Sequence, residues 1–236
     1  SGVIAYQSRD IKLAIDLMSK AIKVNPRNAA VYNNLGVALK DTGDLLGAIA
    51  NFSKALELSP EYAEAATNLG NTYRDMNKPK EACRYFQEAI LARPDHADAY
   101  NCLSVVQGQL GLINEALENA NKAVVINPKS IEALINLGNL QRATRQYQEA
   151  LATYTKVIEL EPRIAEAYNN RAIVHHDLKN YEHALQDYNK AIEIQPNYVQ
   201  PYNNRGYVFH ELKQHDLALQ SYESAIELAP DYAEPY

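Results

Sequence analysis

Prolines stand at Pro26, Pro60, Pro94, Pro128, Pro162, Pro196 and Pro230, each 34 residues from the last. No interval carries an insertion or a deletion, so the chain is one short unit copied end to end. A unit of this size cannot bury a core alone, and any function has to sit on a surface that several copies build together. The 236 residues therefore read as a single array rather than as the one or two globular domains that length alone would suggest.

Setting the proline at unit position 32 aligns the other residues. Position 20 is alanine in every copy (Ala14, Ala48, Ala82, Ala116, Ala150, Ala184, Ala218), and position 27 is alanine except at Val157. Position 8 stays small (Gly2, Gly36, Gly70, Ser104, Gly138, Ala172, Gly206), while positions 4 and 24 are mostly large, as at Tyr32 and Phe52. A small residue opposite a large one is what closely packed helices need. At about 100° per residue, positions 4, 7, 8 and 11 share one face. Positions 20, 24, 27 and 28 share another, as in Ala48, Phe52, Ala55 and Leu56. Each unit thus predicts two amphipathic helices joined by a short polar turn such as Asp41-Thr42-Gly43-Asp44, with the proline ending the second helix. No stretch alternates with period two, so the expected fold is all-α.

Leu69, Gly70, Tyr73, Ala82, Phe86 and Pro94 follow the order of the tetratricopeptide repeat (TPR) signature, with Ala66 where that signature has an aromatic residue. The chain resembles TPR proteins over essentially its whole length. The proline register divides it into a partial unit at 1–28, complete units at 29–62, 63–96, 97–130, 131–164, 165–198 and 199–232, and the opening of a further unit at 233–236. The resemblance implies a solenoid: a right-handed superhelix of antiparallel helix pairs, with first helices lining a concave groove and second helices forming the outer wall.

The net charge of −6 is spread along the chain, which argues against a nucleic-acid partner. No apolar run approaches the ~20 residues that cross a bilayer, so membrane insertion is not expected. Cys83 and Cys102 have neither disulfide-framework nor zinc-ligand spacing and fit a reducing, cytoplasmic compartment. No signal peptide is visible, although the chain begins partway through a unit. Phosphate loops, nucleophile elbows and dinucleotide fingerprints are missing, and the expectation is a non-enzyme segment without cofactor or metal. His175 takes core-facing position 11, His183 and His215 fall on second helices or their entry turns, and His96 lies between units. His176 and His210 share position 12 with Asp177 and Glu211 beside them. Repeat duplication accounts for that pair better than a two-histidine metal site does.

Positions 2, 6, 9 and 13 form the stripe opposite the core. Position 6 reads Asn34, Asn68, Cys102, Asn136, Asn170 and Asn204; asparagine also fills position 5 at Asn33, Asn101, Asn169 and Asn203, and position 9 at Asn71 and Asn139. Asparagine is a poor helix former, but its amide can clasp both the N–H and the C=O of a peptide backbone. Asn34, Asn68, Asn71, Asn136, Asn139, Asn170 and Asn204 are therefore the predicted groove residues for an extended peptide. The competing reading has them bonding to the neighbouring helix. At the rim, position 12 carries Lys40, Arg74, Arg142, His176 and His210, and position 13 carries Asp41, Asp75, Asp177 and Glu211. These mixed signs read as a solvated face in preference to a groove graded in polarity. Arg171 and Arg205 replace leucine at position 7 and are expected to lay their stems on the core with the heads at solvent or a carboxylate.

The function that follows is a protein-interaction scaffold holding an extended peptide or partner segment. The runs Asn34-Leu35-Gly36, Asn68-Leu69-Gly70 and Asn136-Leu137-Gly138 resemble the TPR arm of O-linked N-acetylglucosamine transferases, which implies an alternative: the recognition arm of a larger enzyme. A clamp for chaperone tails would need lysines at positions 2 and 5. Position 2 instead carries Ala30, Glu64, Asp98, Glu132, Glu166 and Gln200. Leu219, Tyr222, Ala225 and Ile226 fall near an uncapped end, so a fragment of a longer protein, or self-association through the ends, is expected.

Overall fold

A computed structural model describes residues 11–230. Among them are thirteen α-helices and no strand. They are α1 (Ile11–Val24), α2 (Ala29–Asp41), α3 (Leu45–Leu58), α4 (Ala63–Asp75), α5 (Pro79–Ala92), α6 (Ala97–Gln109) and α7 (Ile113–Ile126) in one compact unit. A second unit starts at Pro128 and holds α8 (Ile131–Ala143), α9 (Tyr147–Leu160), α10 (Ala165–Asp177), α11 (Tyr181–Ile194), α12 (Val199–Glu211) and α13 (His215–Leu228). The expected small residue Gly2, the partial helix around it and the opening of a further unit at 233–236 lie outside the described residues.

The hairpins α2–α3, α4–α5, α6–α7, α8–α9, α10–α11 and α12–α13 follow the proline register. Their closeness depends on the pairing of positions 8 and 24. A Cβ built on Gly36 would lie 2.6 Å from the Phe52 ring, and one on Gly70 would lie 2.7 Å from Phe86. Gly138 against Tyr154 and Gly206 against Tyr222 repeat the arrangement in the second unit. Where position 8 grows to Ser104, the register brings the small Ala120 opposite it, and both are fully buried. Positions 11 and 23 form a second matched pair. Tyr73 stacks on Tyr85 with ring centres 5.4 Å apart, Asn119 Nδ2 donates to Gln107 Oε1 at 2.8 Å, and the Thr153 hydroxyl donates to Gln141 Oε1 at 2.8 Å.

Two further positions are buried that the single-face reading leaves outside the core. Position 3 (Ala65, Ala99, Ala167) and position 10 (Thr72, Val106, Val174, Val208) are wholly enclosed. The cause is the number of neighbours: α4 touches α3 and α5 along the chain and also α2 and α6, the first helices of adjoining hairpins. A helix packed on three sides buries a wider arc than an amphipathic surface helix.

Each first helix ends in the same way. Position 15 adopts the left-handed conformation at Gly43, Asn77, Gly111, Arg145, Lys179 and Lys213. At Gly43 the backbone N–H groups of Gly43 and Asp44 donate to Lys40 O and Leu39 O at 2.9 Å, and Lys179 and Asn180 repeat the pattern onto His176 O and His175 O. This is a Schellman closure, which satisfies carbonyls that the helix end would leave unpaired. Second helices stop two residues before the ladder proline, as Leu58 does before Pro60, because proline cannot continue the hydrogen-bond pattern.

Candidate functional site

The first helices carry the predicted asparagines, and the repeat spacing brings amides of successive hairpins together. Asn68 Nδ2 donates to Asn33 Oδ1 at 3.0 Å in the first unit. Asn204 Nδ2 donates to Asn169 Oδ1 at 3.1 Å in the second. In both cases position 6 of one repeat reaches position 5 of the repeat before it. The register slips where the acceptor is missing. Position 5 of α8 is Ile135, and Asn170 Nδ2 donates instead to Asn139 Oδ1 at 3.2 Å. That oxygen also takes the Tyr154 hydroxyl at 2.7 Å, while Asn169 Nδ2 donates to Asn170 Oδ1 at 3.1 Å.

Three of the four position-5 asparagines are the more buried: Asn33, Asn101 and Asn169 are enclosed, Asn169 to 3 % exposure, and Asn203 is half-buried. Asn34, Asn68, Asn136, Asn170 and Asn204 are half-buried, and Asn139 is exposed. Bonding to the neighbouring helix is thus present at Asn68, Asn170 and Asn204, each using one N–H of an amide that has two. Asn71 is the odd member. Its Oδ1 is buried without a hydrogen-bond partner, because the aromatic residue of its hairpin is Phe86, which lacks the hydroxyl that Tyr154 offers to Asn139.

The rim charges, expected from the sequence to form a mixed, solvated face, pair across repeats while staying partly exposed. Lys40 pairs with Asp75 at 2.9 Å, Arg142 with Asp177 at 2.6 Å, and His176 with Glu211 at 2.8 Å. Each pair joins position 12 of one repeat to position 13 of the next. The hydrogen bond from His176 holds the Glu211 carboxyl below the usual range. Arg74 faces a repeat whose position 13 is Gln109, and its closest carboxylate is Asp75 beside it, at 3.7 Å. His210 sits edge-on to His215, ring centres 5.7 Å apart.

Arg171 does reach a carboxylate. Its Nε and Nη2 donate to Asp187 at 2.8 Å, and its Nη1 donates to Thr155. Arg205 makes the same reach onto Ser221 and Asn189, and burial without an anion pulls its pKa down. His175 is half-buried and stacked on His183 at 5.1 Å, which agrees with a packed residue. Among the described residues, three or more His, Cys, Asp or Glu side chains nowhere gather as a metal shell, and no helix is long and apolar enough to cross a membrane.

The repeat pattern alone does not single out Ile173 and Tyr207, which occupy position 9 in the last two complete repeats. With Tyr188 and Asn204 they line a cavity of about 380 Å³ among α8, α10, α11 and α12, bordered by Arg142, His176 and Asp177. The signal available in the sequence was size: position 9 is Val37 or Val105 where it is apolar in earlier repeats, and grows to Ile173 and Tyr207 here.

Family profiles described as tetratricopeptide repeat match residues 131–164, 165–198 and 199–232, and others of the same description match 27–93 and 67–131. No curated protein gives a significant match. Solved structures do. The TPR protein YrrB, described as having an unusual peptide-binding site, is 32 % identical over 78 % of this chain and 95 % of its own, with a TM-score of 0.66. MamA is 25 % identical over 69 % of this chain and 95 % of its own, with a TM-score of 0.63. A tetratricopeptide repeat protein from Parabacteroides merdae shares the fold over 98 % of this chain and 91 % of its own at 20 % identity, with a TM-score of 0.73.

Proposed function

Because this chain belongs to the tetratricopeptide repeat family, whose stacked helix pairs serve as protein-interaction scaffolds, we infer that its working surface is the asparagine-bearing face of the first helices, holding an extended peptide. The observation that carries this reading is the amide-to-amide bonding between successive repeats. Each bond takes one N–H of the position-6 amide and fixes the plane of the group. A second N–H is left for a bound main chain at Asn68, Asn170 and Asn204, and at Asn68 and Asn204 the amide oxygen as well. Fixing side chains in advance removes entropy that binding would otherwise cost. One net hydrogen bond contributes only ~0.5–1.5 kcal/mol, so affinity has to come from several rungs acting together. The peptide-binding description of YrrB fits this reading. A free-standing adaptor and the recognition arm of a larger enzyme would use the surface in the same way.

The second unit offers a self-contained test. A library of unstructured peptides is captured on the wild-type chain and on a variant carrying Asn136→Ala, Asn170→Ala and Asn204→Ala. Captured peptides are expected to lose roughly tenfold or more in affinity, equivalent to about 1.4 kcal/mol. Circular dichroism should show an intact helical fold with a lowered melting temperature, because the cross-repeat bonds go too. Undiminished capture by the folded variant refutes the clasp.

A further inference from the structure

The cavity of the second unit is walled at position 9 by larger residues than the Val37 and Val105 that stand there in the first unit. Its walls are Ile173 and Tyr207, the latter 56 % exposed. Asn204 stands beside them. Tyr188 also lines it although its ring is 1 % exposed. In the preceding hairpin the equivalent Tyr154 hydroxyl is satisfied by Asn139 at position 9. The hairpin of Tyr188 has Ile173 at that position, which offers no acceptor. Burial raises the Tyr188 pKa well above the ordinary value of 10.0, so the hydroxyl stays a donor at neutral pH.

The charged groups at the border are already matched: Arg142 with Asp177 and His176 with Glu211. His176 also meets the Tyr207 ring edge-on, 6.1 Å between centres. A charged occupant would find no unpaired counter-charge, and a small one would leave the aromatic wall wet. What suits the space is a flat apolar body ending in an uncharged polar tip that can accept a hydrogen bond.

We propose that this cavity is a side-chain pocket for a tyrosine of the bound segment, its ring between Ile173 and Tyr207 and its hydroxyl directed at Tyr188 and Asn204. The proposal rests on the asparagine-face reading and adds to it a residue preference that main-chain clasping alone does not supply.

The test uses the full chain, isotope-labelled at isoleucine methyls and asparagine side-chain amides, and three end-capped pentapeptides: Gly-Gly-Tyr-Gly-Gly, Gly-Gly-Leu-Gly-Gly and Gly-Gly-Glu-Gly-Gly. The tyrosine peptide is expected to shift the Ile173 methyl and Asn204 amide signals at roughly tenfold lower concentration than the other two, the range of one aromatic anchor. Tyr207→Ala should remove that preference. Ile173→Asn should remove it as well, by giving Tyr188 the internal partner that Asn139 gives Tyr154, and it keeps the pocket wall folded. Amide shifts with all three peptides alike, without an Ile173 response to tyrosine, overturn the pocket and leave the clasp standing. Silence of both amides and methyl at millimolar peptide overturns both. A tyrosine preference that survives Ile173→Asn and Tyr207→Ala places the ring elsewhere and also overturns the proposal.

Discussion

At the residue scale, the most informative atom is the buried Asn71 Oδ1 that nothing satisfies. Three hairpins show how positions 9 and 24 are matched: Val37 goes with Phe52, Asn139 with Tyr154, and Asn71 with Phe86. The first is apolar on both sides and the second is hydrogen-bonded at 2.7 Å. The third puts an acceptor against a ring that has no donor. A buried unsatisfied acceptor costs about 1–3 kcal/mol, and a restored hydrogen bond returns about 1 kcal/mol net. Phe86→Tyr is therefore expected to raise the unfolding free energy by about 1 kcal/mol, measured by denaturant titration with unchanged slope. The new hydroxyl enters along the path already used by Tyr154, since both rings rest against a glycine at nearly the same distance. Unchanged or lowered stability would mean that the hydroxyl does not reach Asn71.

At the scale of the helix hairpin, the turn between first and second helices is the recurring point of strain. All six described turns place position 15 at positive φ, between 57° and 84°, but only Gly43 and Gly111 are glycines. The left-handed conformation costs a residue with a Cβ roughly 1 kcal/mol, and asparagine at Asn77 tolerates it better than lysine or arginine does. Lys179→Gly is expected to stabilise by about 0.5–1 kcal/mol after the added freedom of the unfolded chain is subtracted. Gly43→Ala should lose a similar amount, and thermal unfolding of the two variants checks both signs. This turn also marks the limit of what the sequence displays. Helix number, hairpin pairing and the Gly70–Phe86 contact were legible because the same size rule repeats every 34 residues. Position 15 was not, because its conformation is imposed by the Schellman closure and not by a residue type. The cross-repeat pairs were hidden for a related reason. Lys40 and Asp75 are 35 residues apart, so a register written within one unit sees a base and an acid side by side and misses that each binds into the next repeat. The asparagines were legible as a set. Their division into buried acceptors at position 5 and half-buried donors at position 6 depends on the offset between stacked helices, which periodicity does not report.

Across the whole chain, the groups that titrate on the acid side with a shifted pKa act on stability with one sign. His96 lies in the first unit and His175 in the second, and burial pushes both below the ordinary histidine value of 6.5. The Thr67 hydroxyl donates to Ala63 O, so the 3.1 Å contact between Thr67 and His96 Nε2 makes the histidine nitrogen the donor, which the neutral ring already provides. His175 faces Arg171 and His183, which disfavour its proton, and Asp187, which favours it. A group whose folded pKa is depressed is uncharged in the native state where the unfolded chain already takes up a proton. The unfolded state then binds more protons, and stability is full above 6.5 and falls as pH drops through the folded values. Glu211, held low by His176, adds a loss of the same direction below the ordinary carboxylate range. It is a surface pair, and its share is small. The chain is therefore expected to melt at progressively lower temperature as pH is taken below 6.5, with no stability maximum on the acid side. Position 11 supplies the control, because Gln107 and Gln141 fill it elsewhere with an uncharged, hydrogen-bonding side chain. His175→Gln should flatten the acid slope attributable to the second unit while leaving the contribution of His96, so the variant gains in melting temperature relative to the wild type as pH falls. Parallel curves across the whole range would mean that His175 is as readily protonated in the folded chain as in the unfolded one.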